Sequence, residues 1–301
     1  MTPVGPDFLL IGAPKCGTTA MADFLGQHPE IGMCPHKESH HFATDLYPRM
    51  WVKPGARPPT RDEYLGYFEG LEGRRRRGEA SVWYLYSSTA AREIKEFCPE
   101  ADILVMLRNP VEMLPSLHSQ FVFVGLEPEP DFERALALDD ERERAGTPPG
   151  FPPRSYRSAV RYGEQLRRYL DLFGRERVHA IVYDRFRDDT AGAFRDTCAV
   201  LGVDSSFSPA FEVVNPNKRP RSRAMSRLIG RPPQPFRRMM HAVSSQEWRR
   251  RGGAVLRRWN TRFEERPPVA PAVIEPLRPL IAEQVGELRA LLGIDLDAWL
   301  D

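Results

Sequence analysis

Residues 8–20 read FLLIGAPKCGTTA. A short apolar run, Phe8 to Ile11, enters a turn bounded by Gly12 and Gly17, and Thr18 and Thr19 stand where a helix would begin. Backbone N–H groups in such a turn, together with the positive end of the helix, form a cradle for an oxyanion. In the loop of nucleoside-triphosphate enzymes, G-x-x-x-x-G-K-[ST], the lysine follows the second glycine and the hydroxyl residue holds magnesium. Here the glycine spacing is kept, Thr18 occupies the lysine position, and the lysine sits inside the turn as Lys15. The chemistry on offer is phosphate binding without the usual metal–nucleotide equipment. Taken alone, these residues also fit a Gly-Thr turn that merely opens a structural helix.

Two further segments carry reactive side chains. In LVMLRNPVEMLPSLHSQF, residues 104–121, Arg108 follows an apolar strand and Asn109-Pro110 forms an N-cap and first-turn pair. The helix that follows brings Ser116 back about two turns later. A guanidinium and a hydroxyl near one point suit a second, separate phosphate, whereas Arg108 alone would be as well explained as a capping or surface arginine. In HKESHHFA, residues 36–43, Glu38, His40 and His41 are candidates for a general base that takes a proton from a hydroxyl. The histidines also fit a supporting role through hydrogen bonds.

The loop and the arginine–serine pair resemble the two phosphate sites of sulfotransferases that use 3′-phosphoadenosine 5′-phosphosulfate. That resemblance implies that Lys15, Cys16, Gly17, Thr18 and Thr19 hold the 5′-phosphosulfate, and that Arg108 and Ser116 grip the 3′-phosphate. HKESHHFA is similar to the K-E-x-H-F-F stretch of heparan sulfate and related carbohydrate sulfotransferases. Lys37, Glu38, His40 and Phe42 match it, and His41 stands where an aromatic is usual. The implied catalytic residues are Lys15 and Glu38, with Glu38 as base. GEASVWYL at 78–85 resembles a family segment after the third strand, with Val82 in place of proline; Glu79 there is either a second carboxylate of the cleft or a buried structural acid. Arg161 to Gln165 matches a family helix loosely. NPNKRPRS, 215–222, lies where related enzymes close a loop over the nucleotide, so Lys218, Arg219 and Arg221 would reach the 3′-phosphate or form a solvated basic loop. The resemblance is carried by residues 7–125 and is thin beyond them.

The elements that must position these groups follow from periodicity. Strand-like runs occur at 8–11, 31–33, 79–81, 103–107 and 178–183, several of them continuously apolar, as in a parallel sheet covered on both faces. Thr60-Arg-Asp-Glu63 predicts a capping box for a helix through Phe68, and a closing helix is expected from Val273 to Leu292 with Pro276 and Pro279 at its beginning. The expected fold is α/β: a P-loop-type doubly wound parallel sheet flanked by helices, with an irregular basic C-terminal cap over about 215–301. One domain, 1–301, is the economical reading.

Composition narrows function. A chain of 301 residues with a formal charge of +2 buries a large core and is not a general nucleic-acid binder. Arginine dominates the basic residues, so the five lysines, Lys15, Lys37, Lys53, Lys95 and Lys218, are the more telling cations. The arginine run Arg74–Arg77 reads as a solvated loop. Four dispersed cysteines have no metal spacing and fit a reducing compartment. No apolar run reaches transmembrane length, and the expectation is a cytoplasmic protein. The implied donor is 3′-phosphoadenosine 5′-phosphosulfate and the product adenosine 3′,5′-bisphosphate, with no metal and a carbohydrate or small-molecule hydroxyl as acceptor. A P-loop nucleotide or small-molecule kinase and an inactive nucleotide-binding scaffold are the competing readings.

Overall fold

A computed structural model describes residues 5–46, 57–124, 126–144, 155–211, 218–220, 261–263 and 269–300. Its centre is a five-stranded sheet in the order β2-β3-β1-β4-β5. The strands are β1 (Phe8–Gly12), β2 (Ile31–Met33), β3 (Arg76–Ala80), β4 (Asp102–Leu107) and β5 (Val178–Val182). Every pairing is parallel. The runs Phe8–Ile11 and Ile103–Leu107 are entirely shielded from solvent, which is why they read as unbroken apolar stretches rather than alternating ones.

Between the strands lie α1 (Thr18–Gln27), α2 (Arg61–Gly66), α3 (Ala90–Phe97) and α4 (Pro110–Val124). There follow α5 (Phe132–Ala137), α6 (Asp139–Arg144), α7 (Tyr156–Ala159), α8 (Tyr162–Phe173), α9 (Tyr183–Asp188) and α10 (Thr190–Leu201). Near the end of the chain come α11 (Pro271–Ile274), a 3₁₀ turn over Glu275–Leu277, and α12 (Arg278–Leu292), so the expected closing helix is interrupted where its prolines fall. Thr60 and Glu63 form the predicted capping box, and α2 ends two residues before Phe68. Asn109 caps α4, its Oδ1 accepting from Val111 N at 2.9 Å. Helix α1 packs on α10, and α8 packs on α3 and α12.

Two expectations change. The arginine run is a solvated loop only in its first half: Arg74 and Arg75 are exposed, whereas Arg76 and Arg77 open β3, three residues earlier than the apolar pattern suggests. Arg76 pairs with Asp102 at the start of β4, and Arg77 Nη2 meets Asp7 Oδ1 at 2.7 Å. Asp102 on β4 and Asp7 just before β1 thus neutralise charges that looked exposed. Within 215–270, where strand signals are poor, β6 (Lys218–Pro220) pairs antiparallel with β7 (Thr261–Phe263), and β6 runs against α4. The remainder of that segment, including Arg221, and the proline-rich stretches 148–153 and 232–235 lie outside the described residues.

Chain direction across the sheet reverses at the seam between β1 and β4. From β1 the chain moves toward β3 and β2, and from β4 it moves out to β5. Ligands of open parallel sheets bind outside the carboxyl ends of strands at such a seam. Gly12 pairs with Met106 there, so the turn after β1 and Arg108 after β4 leave the sheet side by side.

Candidate active site

The turn after β1 is held by the strand next to it. Ala13 N donates to Met106 O at 2.8 Å, and a Cβ on Gly12 would stand 2.2 Å from that same oxygen, so only glycine fits. Lys15 (φ 62°) and Gly17 (φ 90°) both take left-handed backbone, which curls the turn around its own N–H groups. No side chain caps α1, and its first turn carries no acid. The N–H groups at a helix start attract an anion, and here the N-cap is Gly17, which has no side chain to bond them, while the Cys16 thiol faces the backbone of Thr18. Thr18 is buried at the base of the turn. Burial pushes the Cys16 thiol up to about 12, so it is a neutral thiol rather than a thiolate near pH 7.

Arg108 joins the two expected phosphate sites. Its Nη1 donates to Lys15 O at 2.9 Å, Nη2 meets Glu112 Oε2 at 2.8 Å, and its guanidinium lies 4.4 Å from the centre of the Tyr183 ring. Tyr162 OH donates to Arg108 O at 3.1 Å. Ser116 is buried on α4, and one turn further Gln120 Oε1 accepts from Lys15 Nζ at 3.4 Å. Helix α4 therefore carries a neighbour of each site. The backbone of Lys218 and Arg219, in β6, borders the same helix.

Glu38 belongs to the turn after β2. Its N donates to Ala80 O at 2.9 Å, and its Oε2 accepts from Val82 N at 3.0 Å, so the end of β3 grips both its backbone and its carboxylate. Lys37 Nζ lies 2.7 Å from Oε1, and His40 Nδ1 lies 3.9 Å from Oε2. Glu38 and His40 both have positive φ, 60° and 53°, at non-glycine positions. Such conformations cost about 1–3 kcal/mol each and persist where surrounding contacts over-determine them.

The histidines separate in character. Burial holds His40 down to about 4, against the pull of the Glu38 charge, so it is a neutral imidazole near pH 7. His41 stacks on Tyr64 with ring centres 4.2 Å apart and planes 6° from parallel, and its Nδ1 pairs with Pro59 O at 2.9 Å. It fills an aromatic position as an aromatic. Glu79 is fully buried and bound by hydroxyls of Ser39, Tyr64, Ser81 and Tyr84, which makes it a structural acid rather than an open carboxylate of the cleft.

Two neighbours of the site, Tyr183 and Gln120, had no assigned role in the sequence, and Tyr162 lay within the loosely matched helix segment 161–165. Tyr183 directly follows β5, the edge where ligands of such sheets lie, and that position was its one available signal. Among the described residues, no group of three or more His, Cys, Asp or Glu side chains is arranged to hold a metal ion. No helix among them is long and apolar enough to cross a membrane.

Comparison with known proteins agrees with this geometry. The family model of the sulfotransferase domain matches residues 5–222. A sulfotransferase from Alicyclobacillus acidocaldarius, known from its crystal structure, is 30% identical, covers 99% of this chain and 100% of its own, and superposes with a TM-score of 0.73. Carbohydrate sulfotransferase 15 of Rattus norvegicus is 33% identical over 153 residues, 38% of this chain and 27% of that protein. Heparan sulfate glucosamine 3-O-sulfotransferase 6 of Mus musculus is 28% identical over 207 residues, 66% of this chain and 52% of that protein. The matches thus span between about a quarter and a half of these curated relatives.

Proposed function

The chain belongs to the sulfotransferase domain family, and on that premise we propose that it transfers a sulfuryl group from 3′-phosphoadenosine 5′-phosphosulfate to a hydroxyl acceptor. The observation that carries this reading is the uncapped start of α1 beside Arg108, with Arg108 bonded to the turn itself. Two anion grips meet at one seam of the sheet, as a donor with separate 5′ and 3′ phosphate groups requires.

The residues present suit that donor. The N–H groups of Cys16 to Thr19 face an open helix start, and the glycine-only packing of Gly12 keeps the turn close to the sheet. Arg108 and Ser116, with Lys218 and Arg219 on the bordering strand, would hold the 3′-phosphate. The donor supplies the sulfuryl group and a phosphate as leaving group. Lys15 would stabilise the negative charge that gathers on the bridging oxygen as the S–O bond breaks. Glu38 would take the proton of the acceptor hydroxyl as its oxygen bonds to sulfur. Val82 N–H and Lys37 orient that carboxylate on two sides. Positioning and charge stabilisation dominate such a displacement, by analogy with phosphoryl transfer.

A carbohydrate hydroxyl is the acceptor class we propose, supported by the substrates named in the two curated relatives. One sulfotransferase domain working in a reducing, cytoplasmic setting completes the reading, which the four free cysteines support. The test is to incubate the protein with the sulfate donor, with ATP, and with EDTA present or absent. Release of adenosine 3′,5′-bisphosphate from the sulfate donor, with ATP untouched and EDTA without effect, is expected. Consumption of ATP that EDTA stops and magnesium restores would instead indicate a kinase.

A further inference from the structure

Ser39 sits between the two left-handed residues Glu38 and His40, and its hydroxyl is the turn's link to the protein interior. Ser39 Oγ lies 2.9 Å from Glu79 Oε1, Tyr64 OH 2.8 Å and Tyr84 OH 3.0 Å from Oε2, and Ser81 Oγ also bonds Oε1. An ionised carboxylate accepts about four hydrogen bonds, so these four hydroxyls fill it. With their protons on Glu79, Ser39 Oγ and Tyr84 OH, themselves 3.0 Å apart, keep lone pairs for the turn: Ser39 Oγ accepts from His41 N at 3.3 Å, and Tyr84 OH accepts from Phe42 N at 3.4 Å. The proton pattern of the interior therefore sets the backbone of residues 39–42. A glutamine at position 79 would bring its own N–H donors against hydroxyl protons, and at least one hydroxyl would have to turn away from the loop.

We infer that Glu79 is a positioning residue, acting through Ser39 and Tyr84 to hold the strained turn that presents Glu38 to the acceptor. The inference rests on the reading of Glu38 as the general base. It assigns Glu79 no contact with either substrate. The end of β3 and the 3₁₀ turn after it (Val82–Tyr84) then do two tasks, Ala80 and Val82 gripping Glu38 directly and Glu79 gripping the turn from beneath.

The test compares Ser39→Ala, Ser39→Thr, Glu79→Gln and the double variant Ser39→Ala/Glu79→Gln, with Glu38→Gln alongside. Ser39→Ala leaves Glu79 three hydroxyl donors and the core filled, so it keeps the inference testable if Glu79→Gln fails to fold. Displacement of a reacting group by a fraction of an ångström to one ångström costs up to about a hundredfold in rate, so kcat should fall roughly tenfold to a hundredfold in Ser39→Ala. Donor KM should change less than about twofold, because the phosphate turn is untouched. Ser39→Thr should retain most of the rate, and the double variant should be no worse than Glu79→Gln alone. Wild-type kcat in Ser39→Ala, or losses that multiply in the double variant, would overturn the inference. If Glu38→Gln itself keeps normal turnover, the general-base reading fails first; if Glu38→Gln collapses while Ser39→Ala does not, only the role of Glu79 is lost.

Discussion

Arg108 Nη1 donates to the main-chain oxygen of Lys15 at 2.9 Å, so the residue expected at the 3′-phosphate also props the turn expected at the 5′-phosphosulfate. The two expected grips are thereby coupled through one hydrogen bond. Tyr162 continues the connection on the far side by bonding Arg108 O, and Gln120 does so through Lys15 Nζ.

Binding should therefore respond to Arg108 in two ways. Each charge-assisted contact contributes about 1.5–3 kcal/mol, so adenosine 3′,5′-bisphosphate should bind at least roughly tenfold more tightly than 5′-AMP. Arg108→Ala should abolish that preference and also weaken 5′-AMP, because Lys15 O loses its donor. Calorimetry with both nucleotides measures the two effects. Equal affinities in the unaltered protein would remove Arg108 and Ser116 from the phosphate site.

Glu38→Gln should lower kcat by about 10²–10⁴-fold with nucleotide affinity almost unchanged, since the shape is kept and the proton acceptor is lost. His41→Phe should retain turnover, because His41 is stacked on Tyr64 and bonded to Pro59 O rather than aimed at the turn before it. Single-turnover assays on both variants separate them. Collapse of His41→Phe with normal Glu38→Gln would transfer the base to the histidine.

The sequence was legible where one local signal decides the structure. The buried strands, the Asn109-Pro110 helix start, the capping box of Thr60 and Glu63, and the turn at Lys15 all follow from short patterns. It was illegible where distant partners decide. Arg76 and Arg77 looked solvated because Asp102 and Asp7, which neutralise them, lie elsewhere in the chain. Glu79 stayed ambiguous between cleft and core for the same reason: its hydroxyl donors come from 39, 64, 81 and 84. His41 gave a third form of the problem, a titratable residue used for its ring.

Acid should weaken the fold through His40. Its ring is held down to about 4 from the usual 6.5, by burial first and by the Lys37 charge, with the Glu38 charge opposing. Between those values the unfolded chain binds a proton that the folded chain refuses. Stability is therefore fully present above about pH 6.5 and declines as pH falls toward 4, by roughly 1.4 kcal/mol per pH unit at most for one group. Burial also lowers His41 and His118, which act in the same direction. Thermal melts from pH 7 to 4.5 should fall less steeply for His40→Gln than for the unaltered protein. Parallel curves would mean that His40 takes up its proton normally in the fold.

Two alanine substitutions near the phosphate turn should behave in opposite ways. A Cβ on Gly12 would meet Met106 O at 2.2 Å, Met106 N at 2.9 Å and Cys16 Sγ at 3.0 Å. The first two are backbone of the neighbouring strand and cannot swing aside, and Met106 O is also the acceptor for Ala13 N. Gly12→Ala must push β1 from β4 or lift the turn, and overpacking of this kind costs about 1–3 kcal/mol or more. Gly26, within α1, has as its nearest neighbours Met33 side-chain atoms at 3.7 Å, an ordinary contact. Gly26→Ala should stabilise by up to about 1 kcal/mol, because alanine loses less backbone freedom in a helix. Denaturant unfolding and nucleotide calorimetry on both variants decide the matter: Gly12→Ala should lose stability and nucleotide affinity together, and Gly26→Ala should lose neither. A stable Gly12→Ala with normal nucleotide affinity would show that the seam between β1 and β4 does not set the shape of the turn.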